Sequence, residues 1–274
     1  MKPIESKEPK EPCLPKLNRR QALSGLMALV SFSLFSPKVY SAENSTKDIG
    51  IGRTNVQLCS YGNPNSDIVY VNMHDNENTS VKVARKLISQ GYGGHLLELK
   101  AQGRREITFE HSGQEFKFDP NRIFTNRGIR QTLTDYENYS IYAHLEVRVF
   151  AKKFLQEIDR SNPTHIVALH NNSNNKYSIK SYLSKNTLEN DAQRINYNPN
   201  HDPDNFFYVT DESVFLRLKE EKFNVVLQND LTVTDDGSLS VYCAREGISY
   251  INVEAQHSKR KKQEEMLKAL VDLL

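Results

Sequence analysis

Ile68-Val69-Tyr70-Val71-Asn72-Met73-His74-Asp75-Asn76-Glu77 joins a short apolar run to a turn carrying a histidine and, three positions on, a glutamate. A run of this kind, bounded by polar residues, is what a strand buried on both faces looks like, and such strands belong to parallel sheets covered by helices. Two further runs end the same way: His165-Ile166-Val167-Ala168-Leu169 runs into His170, and Ile251-Asn252-Val253 runs into Glu254. Shorter strands are expected at residues 95–99 and 224–227, and a hairpin over 105–118 about the turn His111-Ser112-Gly113-Gln114. Helical spacing links them: Val81, Ala84, Leu87 and Ile88 before Gly91, a long helix over 139–159 stopped by Asn162-Pro163, one near 211–221, and an amphipathic one over 258–273. The alternation predicts an α/β fold, a mostly parallel mixed sheet with helices on both faces. Residues 67–274 are read as a single catalytic domain. Residues 43–66, rich in Asn, Ser and Gly, are read as a linker and lead-in loop. The Asn-crowded stretch 171–205 is read as a long functional loop.

The first 42 residues read as an address. A polar, Pro-rich start ends in Asn18-Arg19-Arg20-Gln21-Ala22-Leu23, an apolar run follows over 23–35, and Ser41-Ala42 offers a small-residue cleavage site. The paired arginines resemble a twin-arginine signal, with Asn18 and Ala22 departing from its usual residues. The expectation is export, to the periplasm, with no stable membrane span once the signal is removed. Removing seven of the chain's 36 basic and three of its 34 acidic residues leaves a slightly acidic body, which argues against a nucleic-acid partner. Export permits a disulfide between Cys59 and Cys243. Neither lies in a CxxC, so a zinc-thiolate site is not expected. The sequence has no G-x-S-x-G, which argues against a serine hydrolase.

In open α/β sheets, ligands bind beyond the carboxyl ends of the strands. His74, Glu77, His170 and Glu254 all fall at such ends. Two imidazoles and one carboxylate make a zinc site with an open fourth position. One tight turn supplies His74 and Glu77, and a distant strand must bring His170. Glu254 is then the free carboxylate placed to act as a base, and Asp75 is a possible hydrogen-bond partner of a ligand imidazole.

These residues resemble the zinc carboxypeptidase superfamily, including its aspartoacylase and succinylglutamate desuccinylase branch. The shared order is HxxE, a later His and a still later Glu, here His74-Asp75-Asn76-Glu77, His170 and Glu254. Phe118-Asp119-Pro120-Asn121-Arg122-Ile123-Phe124 is close to the D-x-N-R-x-F form of the deacylase branch. Asp75 departs from it, standing where that branch usually has Gly. The resemblance implies a zinc-carboxypeptidase-like fold and one Zn²⁺ per chain held by His74, Glu77 and His170, with Glu254 as general base. It implies that Asn121 and Arg122 bind a substrate carboxylate, that Arg104 or Arg105 polarises the scissile carbonyl, and that Tyr177 or Tyr242 assists. The expected substrate is a peptide or an N-acyl amino acid with a free carboxylate. A carboxypeptidase or amidase acting on cell-wall peptides, an N-acyl amino acid deacylase, and a non-catalytic peptidoglycan- or peptide-binding module stand as competing readings.

Overall fold

The computed structural model describes residues 43–174 and 176–274, and the export-signal reading of residues 1–42 lies outside them. In chain order the strands are β1 (Glu43–Ile51), β2 (Thr54–Gly62), β3 (Ile68–Asn72), β4 (His95–Lys100), β5 (Ile107–His111), β6 (Gln114–Phe118), β7 (His165–Asn172), β8 (Ala192–Asn196), β9 (Phe206–Val209), β10 (Val225–Gln228) and β11 (Ser249–Gln256). The helices are α1 (Asn78–Ser89), α2 (Asn126–Asp135), α3 (Ile141–Ile158), α4 (Glu212–Glu220), α5 (Leu239–Glu246) and α6 (Arg260–Leu273). None of these helices is long and apolar enough to cross a membrane.

Nine strands form one sheet in the order β1-β2-β4-β3-β7-β11-β9-β10-β8. The parallel reading holds at its centre, where β4, β3, β7 and β11 run the same way. Outward from there, β2 pairs antiparallel with β4, and β9 antiparallel with β11. The centre is apolar because it is covered twice. On one face α1, α4 and α6 bury Val83, Leu87, Leu218, Met266 and Leu267 against Val167, Leu169 and Val253. On the other face α2, α3 and α5 bury Leu133, Val147, Phe150, Phe154 and Leu239 against Val69, Val71 and Ala168. The β5–β6 hairpin forms as expected, with Ser112 and Gly113 both at positive φ (54° and 80°), the twist a two-residue turn requires.

Residues 43–66 are not a linker. They form the β1–β2 hairpin, which adds two strands to the sheet through the pairing of β2 with β4. Only one face of this hairpin is apolar, with Ile49, Ile51, Val56 and Leu58 buried and polar residues between them. The stretch 171–205 likewise holds the edge strand β8 and two short 3₁₀ turns, Ile179–Tyr182 and Glu189–Asp191. Cys59 on β2 is half-buried and Cys243 on α5 is buried, and both are free thiols.

Candidate metal centre

β7 and β11 pair in parallel through eight residues, and this register places Glu254 directly beside His170. β3 flanks β7 on its other side, and the chain leaves β3 at Asn72 into the turn carrying His74 and Glu77. The turn closes by the Glu77 amide donating to the His74 carbonyl at 3.0 Å. One ligand atom each from His74, Glu77 and His170 lies within 4.8 Å of the others, and all three residues are buried. The structure thus brings together the His74–Glu77 turn and His170, which lie far apart along the chain.

Carboxylates hold the imidazoles. His74 Nε2 lies 2.8 Å from Asp119 Oδ1, and His74 Nδ1 lies 2.9 Å from Glu77 Oε1. His170 Nδ1 sits 3.0 Å from Glu77 Oε2, which also accepts the Asn171 amide at 3.0 Å. Burial disfavours a charged His74, but Asp119 and Glu77 outweigh it and raise its pKa. Burial alone would raise Glu77, but His170 and His74 hold it well below the usual carboxylate range. Asp119 is lowered in the same way, against its own burial, by His74 and Arg105.

These residues fit a zinc ion. Nε2–H of His74 donating to Asp119 leaves Nδ1 with a lone pair turned toward the Glu77 carboxylate. That nitrogen is buried and makes no hydrogen bond among the described residues. Two acceptors facing each other in a buried site need either a proton or a metal ion between them. Two imidazoles and a carboxylate form a zinc donor set, and a carboxylate behind a ligand imidazole is the usual way of fixing its tautomer.

Around this centre lies a cavity of about 450 Å³ lined by Glu77, Arg105, Asn121, Arg122, His170, Tyr177 and Glu254, among others. Arg105, not Arg104, belongs to it. Arg105 Nη1 donates to Glu77 Oε1 at 3.0 Å, and its Nε and Nη2 donate to Asp119 Oδ2 at 3.2 and 3.1 Å. Arg104 instead lines a separate cavity with Asp48, Gln57 and Lys100. Tyr177 is in the wall, its hydroxyl bonded to that of Tyr182, whereas Tyr242 packs on Phe124 away from it. Asp75 does not face the ligands either. It is tied to Lys100 Nζ at 2.5 Å and to the amides of Ala101 and Gly103. The carboxylate behind His74 is therefore Asp119, which opens the Asp119-Pro120-Asn121-Arg122 stretch.

Glu254 is 5 % exposed, and its Oε1 accepts from Asn252 Nδ2 at 3.2 Å. Burial, only partly opposed by His170, raises its pKa above the ordinary carboxylate value. Asn121 Oδ1 accepts the Leu239 amide at 3.2 Å, which leaves its Nδ2 free to donate. Arg122 Nη1 lies 3.3 Å from Asp236. The loop carrying Arg122 is held by backbone contact: Phe124 N donates to Gly237 O at 2.9 Å, and Gly237 packs directly on Gly128. A Cβ on Gly237 would sit 2.5 Å from Gly128 Cα and 2.6 Å from Arg122 O.

Fold and site together define an α/β protein with a His-Glu-His centre at the carboxyl edge of its sheet. No protein family profile and no curated protein matches the chain. Among solved structures it is similar to murein-tripeptide amidase MpaA from Escherichia coli O157, at 14% identity and a TM-score of 0.46 over 86% of this chain and 93% of that one. It is similar to thrombin activatable fibrinolysis inhibitor, at 11% identity and a TM-score of 0.47 over 83% of this chain and 70% of that one. An aspartoacylase family protein from Mesorhizobium loti aligns at 12% identity and a TM-score of 0.42 over 88% of this chain and 69% of that one.

Proposed function

We propose that the chain is a zinc-dependent hydrolase that cleaves an amide or peptide bond next to a free carboxylate. The observation that carries this is the convergence of His74, Glu77 and His170 from two adjacent strand ends, with Glu254 held in register beside His170. Zinc bound there would supply a Lewis acid for the scissile carbonyl and a water whose pKa falls toward about 7.

The chain's own groups supply the rest. Glu254, with its raised pKa, accepts a proton from the attacking water and returns it to the leaving nitrogen. Arg122 forms a two-pronged ion pair with the substrate carboxylate, assisted by Asn121 Nδ2. Arg105 faces the cavity beside Glu77 and stabilises the negative charge that develops on the carbonyl oxygen. Asp119 fixes the orientation of His74.

We take cell-wall peptides as the substrate source, because the first 42 residues read as an export signal toward the periplasm. N-acyl amino acids are the alternative, favoured by the Asp119-Pro120-Asn121-Arg122 form. Assays on a murein tetrapeptide and on N-acyl amino acids separate the two. The decisive experiment is metal analysis of the purified chain beside Glu254→Gln. About one zinc per chain is expected in both, with hydrolysis reduced about 10²-fold or more in the variant. Absence of zinc, or full activity in Glu254→Gln, would overturn the proposal.

A further inference from the structure

Four of the six large apolar side chains exposed among the described residues lie on one helix, α3: Ile141, Tyr142, Leu145 and Val149. The helix does not need them to hold its place. Its inner side already buries Val147, Phe150, Phe154 and Ile158. The steps from 141 to 145 and 149 are those of neighbours on a helix surface, so three of the four form one outward stripe. An apolar residue exposed singly needs no explanation, but a contiguous patch marks a surface that meets something.

The same side carries charge of one sign. Arg148, Lys152 and Lys153 are exposed beside the stripe. Glu146, the one acid between residues 141 and 156, is half-buried and turned to His111 and the Gly52 amide. Arg148 and Lys152 make no ion pair among the described residues. Arg130, on the adjoining α2, lies over the Tyr139 ring at 4.9 Å. Burial and then the nearby Arg148 and Arg130 hold the His144 pKa below its ordinary value, with no carboxylate opposing them. A cavity of about 410 Å³ between α2, α3 and α5 shares Arg148 and Lys152 with this face. Ile123, Phe124 and Leu155 also line it, and Glu246 is its one acid.

α3 runs antiparallel to β1: Glu157 pairs with Lys47 at 2.6 Å, Lys153 Nζ donates to the Gly50 carbonyl at 3.3 Å, and Glu146 accepts the Gly52 amide at 3.1 Å. Through β2, β4 and β3, β1 runs the same way as β7. The first turns of α3, which carry the apolar residues, therefore lie at the carboxyl end of the sheet, the end that holds His74, Glu77 and His170. Apolar side chains flanked by unpaired cations match a medium that is apolar just beneath a layer of negative charge. A second copy of the chain would instead set its own cations against these.

We propose that α3 docks the protein on an anionic phospholipid bilayer, with Ile141, Tyr142, Leu145 and Val149 entering the headgroup region and Arg148, Lys152 and Lys153 meeting lipid phosphates. The inference is independent of the hydrolase function, and its test reads no hydrolysis. The chain has no tryptophan, so a single one reports its own surroundings. Tyr142→Trp is compared with Leu216→Trp, a 42 % exposed position on α4, which covers the opposite face of the sheet. Each full-length variant is titrated with vesicles of phosphatidylcholine alone and of phosphatidylcholine mixed with phosphatidylglycerol. The emission of Tyr142→Trp should move to shorter wavelength with the anionic vesicles only, and that of Leu216→Trp should not move.

Adding Arg148→Gln and Lys152→Gln to Tyr142→Trp should weaken the apparent affinity about 25-fold, roughly fivefold for each cation at an anionic surface. Adding Leu145→Ser and Val149→Ser should weaken it about tenfold or more. All four side chains are exposed, so the fold tolerates either pair of changes. No shift in Tyr142→Trp, an equal shift with neutral vesicles, or an unchanged affinity without the two cations overturns the inference. An equal shift in Leu216→Trp also overturns it, by placing the contact elsewhere. So does a shift of Tyr142→Trp on raising protein concentration alone, which would make this face a contact between copies.

Discussion

Replacing Gly237 by alanine tests whether Arg122, the proposed anchor for a substrate carboxylate, is positioned by backbone packing. Gly237 sits at φ +79°, a region that costs a residue with a Cβ roughly 1 kcal/mol. The added carbon would lie 2.5 Å from Gly128 Cα and 2.6 Å from Arg122 O, all backbone atoms, so no side chain can swing aside. Relieving those contacts needs a shift of about 1 Å, and overpacking on this scale costs about 1–3 kcal/mol. The expected loss of stability is therefore about 2–4 kcal/mol in urea unfolding. Gly247→Ala is the control. It sits at φ +67° with nothing within 4 Å, so it should show the strain alone, about 1 kcal/mol. Because the displaced atom belongs to Arg122, KM should rise with kcat less affected. A misplacement of about 1 Å in a positioning group costs on the order of 10²-fold in kcat/KM. Zinc content should not change, since the ligands lie on other segments. Gly237→Ala matching Gly247→Ala in stability and leaving KM unaltered would refute the reasoning, as would loss of zinc.

Asp119→Ala should weaken zinc binding about 10- to 100-fold, measured by chelator competition, because His74 loses the acceptor that fixes its tautomer. Arg105→Ala should lower kcat by about 10²-fold or more, while Arg104→Ala should change it little, since Arg104 lines another cavity. Asp211→Ala removes the cap of α4, whose carboxylate accepts the Ser213 and Val214 amides, and should cost about 1 kcal/mol at neutral pH. Burial would raise the Asp211 pKa, but the Ser213 and Val214 bonds lower it below its ordinary 3.8. The charge-dependent part of that penalty is thus fully present above pH 3.8 and lost as pH falls through the lower folded value. Urea unfolding of both proteins at neutral pH and near pH 2 checks this, and a penalty that grows in acid would contradict it.

What the sequence revealed of the fold follows from burial. β3 and β7 are covered on both faces and read as apolar runs, β11 reads as one broken by Asn252, and the residues ending them could be picked out as site candidates. β1 and β2 bury one face only, and their outward Asn, Ser and Thr made the hairpin look like a linker. α2 has just Ile129 and Leu133 as large buried apolar residues, too few for a periodic signal. The choice of Arg105 over its neighbour, and of Asp119 over Asp75, depends on which way consecutive residues face. No spacing along the chain encodes that where the backbone is irregular.

The parallel pairing of β7 with β11 has a consequence for how such a protein changes over generations. The groups of the proposed centre are carried at strand ends in the middle of the sheet, where a one-residue slip would turn Glu254 to the opposite side. The other cavity-lining groups Arg122, Tyr177, Asp191 and Asp236 all lie, along the chain, between the strands that carry the proposed centre. On the function proposed here, substitutions there can alter which molecules are accepted while leaving His74, Glu77, His170 and Glu254 in place. Descendants of this chain are thus free to diverge in diet long before they diverge in chemistry.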